Sequence, residues 1–203
     1  MIVTLLELFM NYDALLLKRR TIRFYQQKPV AEKHLLKMVA AALVAPSAAN
    51  NLPLRYTIIR NYDLAEAVFY HTRYGGRVTP ERSPKWGVNA PMAFIAVSAV
   101  KNGAEISPMV YADSGAAIMS MQFAAVQENL GTCWIGAFNA KEVAKIIELP
   151  DNEQLVFLLA VGHPAETPVV DTIENGESVA YYLDGFNRLH VPKYKLEAVT
   201  RIF

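Results

Sequence analysis

A short basic segment near the start of the chain holds the residue types best suited to binding an anion. In RRTIRFYQQKPV, Arg19, Arg20 and Arg23 fall close together beside the hydroxyl group of Thr21. Guanidinium groups donate paired hydrogen bonds to phosphate and carbonyl oxygens, so this arginine arm (residues 19–24) could bind a phosphate group and a polar ring edge together. A solvated run of charge at a helix C-terminus, where cations offset the helix dipole, is the alternative.

A second polar segment, the serine loop (residues 46–53), could bind a flat heterocycle. It reads PSAANNLP, and Ser47 and Asn50 offer hydroxyl and amide groups that both donate and accept hydrogen bonds. Ser and Asn also favour ordinary turns, because their side chains bind nearby backbone groups. The pairing of this loop with the arginine arm is more specific than either segment alone.

The composition requires any anion site to be local. The chain has 20 Lys and Arg against 19 Asp and Glu, so no global field attracts nucleic acid or a membrane surface. Cys133 is the only cysteine, which excludes an intramolecular disulfide and indicates a reducing compartment, by default the cytoplasm. We expect Cys133 to be a small buried residue rather than a redox thiol.

Several familiar catalytic motifs are absent from the sequence. It contains no glycine-rich phosphate loop, no His-Glu-x-x-His, no Gly-x-Ser-x-Gly, and its four histidines stand apart from one another. We therefore expect neither a metal site nor a hydrolytic centre.

The elements that must position these segments are predicted from hydrophobic periodicity. The apolar N-terminus has helical spacing of its apolar residues between positions 5 and 16. It lacks a basic n-region and contains Glu7 and Asp13, so it is predicted to be a helix of the mature protein rather than a signal peptide or a membrane span. Further helices are predicted at 31–45, at 109–131 and from Asn139 to Ile147, and strands at 55–60, 92–100 and 154–164.

These elements predict one α+β domain spanning residues 1–203, in which helices flank a sheet of few strands. The basic loop (residues 71–91), with Arg73, Arg77, Arg82 and Lys85, is predicted to be a mobile surface loop that is either solvated, or a lid or a contact of the cofactor phosphate. The last forty residues bury little alone, so they must fold onto the body or onto another chain.

Three segments together resemble the FMN-dependent nitroreductase family. RRTIRFYQQKPV followed by APSAANNLP resembles that family's N-terminal signature. The segment from Glu128 to Glu166, which begins ENLGTCWIGAF and ends AVGHPAE, resembles its central segment. HVPKYKLEAV near the end resembles its basic tail, so the likeness covers most of the chain in the expected order.

The resemblance implies a three-layer α/β/α fold with a central, mostly antiparallel sheet and an extended C-terminal tail exchanged across a homodimer. It implies an enzyme that passes hydride from NAD(P)H through the N5 atom of FMN to a nitroaromatic, quinone or similar small acceptor in a ping-pong cycle, without a catalytic side chain. Arg23 would place positive charge near the flavin N1 and C2 oxygen.

The resemblance also assigns the FMN-binding residues, position by position. The arm would hold the phosphate, the ribityl chain and the pyrimidine edge, the serine loop would line the flavin from the other side, and Gly136 would allow close backbone approach to N5. The implied set is Arg19, Arg20, Thr21, Arg23, Pro46, Ser47, Ala48, Asn50, Ile135, Gly136, Ala137, Lys193 and Lys195.

Three departures from the family pattern leave the reaction less settled than the cofactor. Leu52 and Leu54 stand where Gln and Trp are usual, which removes an amide and an aromatic ring from the surroundings of the flavin, and Lys195 stands where Arg is commoner. The same scaffold also hosts dehalogenases, heterocycle dehydrogenases and flavin-cleaving enzymes. A flavin-binding or sensing protein without turnover is the alternative outside enzymes.

Overall fold

The computed structural model describes residues 11–78, 82–103 and 105–203. Its helices are α1 (Tyr12–Lys18), α2 (Glu32–Leu43), α3 (Tyr62–Phe69), α4 (Met109–Gln127) and α5 (Ala140–Ile146). Its strands are β1 (Tyr25–Gln26), β2 (Leu54–Ile59), β3 (Ala93–Val100), β4 (Gly131–Ile135), β5 (Glu153–Pro164), β6 (Val169–Ile173), β7 (Tyr182–Leu183) and β8 (Leu189–Tyr194).

The helix boundaries agree with the capping signals in the sequence. Asn11, Asn61 and Asn139 each accept a hydrogen bond from the backbone N–H three residues further on, which caps α1, α3 and α5. Asn129, which follows α4, has a φ of 56°, the left-handed conformation that often ends helices. The N-terminal helix expected from residue 5 lies largely outside the described residues, and α1 contains its last part.

The main sheet is antiparallel and has β5 at its centre. β3 pairs with β5 along one side and with β2 beyond it, while β4 and β1 pair with the other side of β5. The predicted mostly antiparallel sheet is therefore confirmed.

The core lies on both faces of this sheet. Phe94 and Ala96 of β3 pack in a cluster with Phe69 of α3 and Val143 of α5. On the opposite face, Ile95 and Val97 cluster with residues of α2 and α4, including Leu35, Ile118 and Met121. Coverage on both faces explains why β3 and β5 are nearly continuous apolar runs, and it gives the predicted three layers.

Two glycines fix the arginine arm to the edge of the sheet. Thr21 pairs with Thr132 of β4 in a parallel bridge, and the Ile22 N–H donates to the Thr132 carbonyl oxygen at 2.9 Å. A Cβ atom added at Gly131 would lie 2.8 Å from Ile22 Cγ1, and one at Gly162 would lie 2.6 Å from Tyr25 Cδ1. Both strands need glycine there because the arm crosses in direct contact with their backbones.

The C-terminal tail forms a second, small sheet. In this tail sheet β8 pairs in parallel with β6 and antiparallel with β7. In the single chain it contacts the arginine arm of the same chain, since Arg23 lies 5.3 Å from the ring centroid of Tyr181. Exchange of the tail across a dimer stays a prediction.

The basic loop is only partly a surface loop. Arg82 is 4% exposed, and its Nη2 lies 3.0 Å from Glu166 Oε2. Tyr74 is buried, and the rings of Phe69 and Trp86 lie 5.4 Å apart between their centroids. The expectation of a solvated loop is therefore wrong for Arg82, because its charge is compensated inside the protein.

Within the described parts of the chain, no helix combines the length and the apolar character needed to cross a membrane.

Candidate functional site

The arginine arm and the tail sheet enclose a small cavity with a basic lining. This anion cavity has a volume of about 80 Å³. That is less than the roughly 300 to 1,000 Å³ of a typical small-molecule pocket, so a phosphate group fits it better than a whole nucleotide. It is lined by Arg19, Arg20, Thr21 and Arg23 from the arm and by Pro168, Tyr181, Val191 and Lys193 from the tail.

The positive charges of this cavity are not compensated by the described protein. None of Arg19, Arg20, Arg23 and Lys193 forms an ion pair with a carboxylate of the described residues. Burial, followed by the neighbouring charge of Arg20, lowers the pKa of Arg19, and burial lowers that of Arg20. A phosphate dianion would remove this repulsion, so the donor set fits the phosphate of FMN.

The end of α1 holds the arm in place. Arg20 Nε donates to the Arg19 carbonyl oxygen at 2.7 Å, and its Nη2 donates to the Leu16 carbonyl oxygen at 3.2 Å. These contacts satisfy carbonyl groups at the C-terminus of the helix. The helix-end role and the anion-binding role are therefore compatible, although the sequence presented them as alternatives.

The two predicted lysines of the tail lie in different surroundings. Lys193 lines the anion cavity. Lys195 forms an ion pair with Glu174, and that hydrogen bond raises its pKa. The structure therefore places one of the two lysines with the arginine arm and pairs the other with a carboxylate.

The serine loop is held to α4 by one buried carboxylate. Asp113, which is 6% exposed, accepts hydrogen bonds from Ser47 Oγ at 2.7 Å and from the Ala48 N–H at 2.9 Å. Ser47 Oγ in turn accepts from the Leu52 N–H at 3.1 Å. Asp113 and Ser47 therefore cross-link the two ends of the loop.

The backbone of the serine loop is strained. Ala49, Asn50 and Leu52 have φ values of 50°, 52° and 47°, in the left-handed region. Each such residue with a Cβ costs about 1 to 2 kcal/mol, with asparagine at the low end. The hydrogen bonds of Asp113 offset part of this cost and keep the loop in one shape.

In one chain the serine loop and the arginine arm lie at opposite ends of α4. Ser47 is bonded to Asp113 in the first turns of the helix, whereas Arg20 lines a cavity with Val126 in its last turn. Thirteen residues at 1.5 Å per residue separate those ends by about 20 Å. In the described part of the chain, the serine loop and the arginine arm thus line different cavities.

The segment Ile135, Gly136 and Ala137 continues β4 away from the arm. Thr132 of the same strand pairs with the arm, so these residues begin about 10 Å further along the sheet edge. Gly136 is exposed, and a Cβ added to it would make only an ordinary 3.6 Å contact with Phe157. Neither packing nor a positive φ requires glycine there, so the backbone at Gly136 is open to close approach.

Cys133 behaves as the sequence predicts. It is 5% exposed, and burial raises the pKa of its thiol to about 11. A neutral, enclosed thiol is a packing residue rather than a nucleophile.

Three residues that support the site were not identified from the sequence. Glu166 and Tyr181 carry no local signal, because their partners lie far away along the chain. Asp113 does carry one, since it is the only charged residue in the nineteen of α4, and a lone acid in an apolar helix points to a buried hydrogen-bonding role.

Comparisons with known proteins agree with this architecture. The model of the Nitroreductase family matches residues 16–163. A protein of Methanothermobacter thermautotrophicus, provisionally named NADH dehydrogenase/NAD(P)H nitroreductase, is 27% identical over 154 residues, covering 74% of this chain and 75% of that protein. The FMN reductase [NAD(P)H] of Bacillus subtilis is 29% identical over 72% of this chain and 63% of that protein.

A solved structure extends the likeness to the fold. A provisionally assigned nitroreductase of Desulfovibrio desulfuricans, solved in complex with FMN, has a TM-score of 0.61 and 26% identity, covering 78% of this chain and 89% of that chain. The match of the family model spans well over half of the sequence, so the chain belongs to the nitroreductase family. The family resemblance and the fold class predicted from the sequence are both confirmed.

Proposed function

We propose that this chain is an FMN-dependent oxidoreductase that transfers hydride from NAD(P)H to a nitroaromatic, quinone or similar acceptor in a ping-pong cycle. Membership of the nitroreductase family makes it an NAD(P)H oxidoreductase with FMN as cofactor. The observation that carries the proposal is the cavity in which three arginines and one lysine meet without a carboxylate partner in the described chain. When bound, FMN supplies the N5 atom that accepts and delivers hydride.

The residues of this chain bind and orient the cofactor. Arg19, Arg20 and Lys193 would hold its phosphate, with the Thr21 hydroxyl as a further donor. Arg23, stacked on Tyr181, would direct positive charge toward the pyrimidine edge of the flavin. Ile135, Gly136 and Ala137 would line the ring end, about 10 Å along β4.

We propose further that the serine loop of a second copy completes each site. Pro46, Ser47, Ala48 and Asn50 lie about 20 Å along α4 from the arm, and Ser47 lines a different cavity from the arginines. A homodimer would bring the loop of one subunit to the arm of the other. The single cysteine and balanced charge support a reducing, cytoplasmic setting for this dimer.

Anaerobic stopped-flow spectroscopy tests the proposed activity. The purified protein is expected to carry FMN, to be bleached by NADH or NADPH, and to recover its colour with a nitroaromatic or quinone. Parallel lines in double-reciprocal plots would support the ping-pong order, and light scattering of the FMN-loaded protein should give the mass of a dimer. A yellow protein that neither nicotinamide bleaches would instead favour flavin binding without turnover.

The role of Arg23 has its own test. Arg23→Ala is expected to lower the reduction potential of bound FMN, because positive charge near the pyrimidine edge favours the reduced form. If both the potential and the steady-state rate stayed the same, Arg23 would not have this role.

A further inference from the structure

The carboxylate of Glu166 lies buried directly beneath the arginine arm. Its side chain is 5% exposed, and it stands just after β5, where the tail begins. Oε1 accepts two backbone hydrogen bonds from the arm, from the N–H of Arg23 at 2.5 Å and from that of Phe24 at 3.1 Å. Oε2 lies 3.0 Å from Arg82 Nη2. One side chain thus joins the arm, the basic loop and the start of the tail.

The arm needs this carboxylate because it has no complete strand partner. The Ile22 N–H is bonded to Thr132, and the Tyr25 N–H is bonded to the carbonyl oxygen of Asn89 at 3.0 Å. Between them, the N–H groups of Arg23 and Phe24 have the Glu166 carboxylate in place of a neighbouring strand. Two bonds from successive amides to one oxygen fix the direction of the backbone from which the Arg23 side chain projects.

Arg82 compensates the charge of that carboxylate. The Arg82 side chain is 5% exposed, and its guanidinium lies 4.6 Å from the ring centroid of Phe24. An uncompensated Glu166 would attract the arginines of the arm and oppose any anion bound there. Paired with Arg82, it orients the arm while the arm's own cations remain available.

We propose that Glu166 and Arg82 form a positioning pair for flavin binding, in which Glu166 shapes the arm and Arg82 neutralises Glu166. The inference rests on the proposed function, since it assigns the pair to the site that holds the FMN phosphate. Under this proposal Arg82, the buried arginine of the basic loop, pairs with Glu166 and does not bind the phosphate directly. Neither residue is a catalytic residue.

Binding of two flavins to substituted proteins tests the pair. Glu166→Gln and Arg82→Met should each raise the Kd for FMN about tenfold or more, as expected when a buried charge loses its partner. Riboflavin, which lacks the phosphate but keeps the pyrimidine edge that Arg23 would face, should lose less affinity than FMN in each variant. Glu166→Gln/Arg82→Met should bind FMN no worse than the weaker single variant, because the two residues act together.

A matched control variant and a measurement on the wild-type protein test the proposal even if the substituted proteins unfold. Glu153→Gln removes a partly buried carboxylate at the start of β5, which accepts a hydrogen bond from Ser98 Oγ at 2.5 Å, and should leave the Kd for FMN unchanged. In flavin-free wild-type protein, the Arg23 and Phe24 amides should resist hydrogen exchange and resonate downfield in NMR spectra.

Three results would overturn the proposed pair. The first is an unchanged FMN affinity in Glu166→Gln, the second is a loss of riboflavin binding equal to that of FMN, and the third is rapid exchange of both amides. A wild-type protein that binds no FMN but shows the two protected amides would contradict the proposed function while leaving the Glu166 contacts intact.

Discussion

Asp113 and Ser47 are joined by a 2.7 Å hydrogen bond that ties the strained serine loop to the first turns of α4. The same carboxylate also accepts the Ala48 N–H, so one buried acid satisfies two donors of the loop. A carboxylate is well suited to this position because both of its oxygens are acceptors. The shape of the loop therefore depends on a residue that is not part of it.

Asp113→Asn should loosen the loop. An amide offers one acceptor oxygen, so one of the two donors loses its partner, at a cost of about 1 to 3 kcal/mol in the free energy of unfolding. FMN affinity should fall as well, since the loop no longer holds one conformation. Urea denaturation and flavin titration measure both effects, with Asp151→Asn, at an exposed turn, as the control. An Asp113→Asn protein with wild-type stability would show that the carboxylate does not brace the loop.

The two tail lysines should differ in their contribution to FMN binding. Lys193→Ala removes a charge with no carboxylate partner and should raise the Kd for FMN about tenfold or more, the value of a charge-assisted bond. Lys195→Ala removes a charge already paired with Glu174 and should have a smaller effect. Titrations at several salt concentrations measure this, because losing a phosphate contact also weakens the salt dependence. Equal effects of the two substitutions would contradict the placement of Lys193 in the anion cavity.

Gly136→Ala should separate ligand binding from folding. The added Cβ meets only an ordinary contact with Phe157, so stability should change by less than about 0.5 kcal/mol or increase slightly. Binding of FMN and of riboflavin should weaken together, by about tenfold, because the block is at the ring end of the site.

A matched glycine provides the control for this substitution. Gly185→Ala has no atom within 4 Å of its added Cβ and should change neither stability nor flavin binding. If Gly136→Ala bound both flavins normally, the assignment of β4 to the ring end would be wrong.

The tail sheet contains a histidine held between two carboxylates. His190 Nδ1 lies 2.9 Å from Asp171 Oδ1, and Nε2 lies 3.2 Å from Asp184 Oδ2. The Tyr182 ring stacks on the imidazole at 4.9 Å, its hydroxyl donates to Asp171, and Arg188 pairs with Asp184. Hydrogen bonding to Asp171 and then to Asp184 raises the pKa of His190, and hydrogen bonds lower the pKa values of both aspartates.

This arrangement predicts a window of pH in which the tail is most stable. Because the pKa of His190 is raised on folding, its contribution to the stability of the folded state is complete below its unfolded-state pKa of about 6.5. That contribution is lost as the pH rises through its folded-state pKa. The lowered pKa values of the two aspartates add stability above about pH 3.9, the unfolded-state pKa of aspartate. This stability is lost as the pH falls through their folded-state pKa values.

Thermal melts of wild type and His190→Gln across this range test the window. The wild type should lose stability above about pH 6.5, and the variant should not show this loss. His71→Gln, at a side chain without a hydrogen bond in the described structure, should keep the wild-type profile. Identical profiles for wild type and His190→Gln would show that His190 and its two carboxylates do not set the pH dependence of stability.

Much of the fold could be predicted because its signals are local. The asparagine caps, the apolar runs of β3 and β5 and the small-residue pattern of α4 all act within a few residues. Burial of Arg82 could not be predicted, because its partner Glu166 lies 84 positions further along the chain and a charged loop is usually solvated. The tail sheet was missed for the same reason, since short strands such as Tyr182–Leu183 form only when β8 is beside them.

The sequence predicted which residues belong to the candidate site but not how they are placed relative to one another. Motif resemblance identified the arm and the serine loop, but a sequence does not show whether two segments meet within one chain or between two. The length of α4 supplies that information. It separates Ser47 from Arg20 by about 20 Å within one chain, which supports the proposal that the two halves of a site come from separate subunits.

That separation has a genetic consequence. A variant with a disabled arm, Arg19→Ala/Arg20→Ala, and a variant with a disabled loop, Asp113→Asn/Asn50→Ala, should each be inactive alone. In a mixed dimer of the proposed kind, the intact arm of the second variant would face the intact loop of the first. Random co-assembly should therefore restore about a quarter of the sites. Two variants damaged at the same end of α4 should never complement each other, so inactive alleles of this gene should sort into two groups according to which end of one helix they affect.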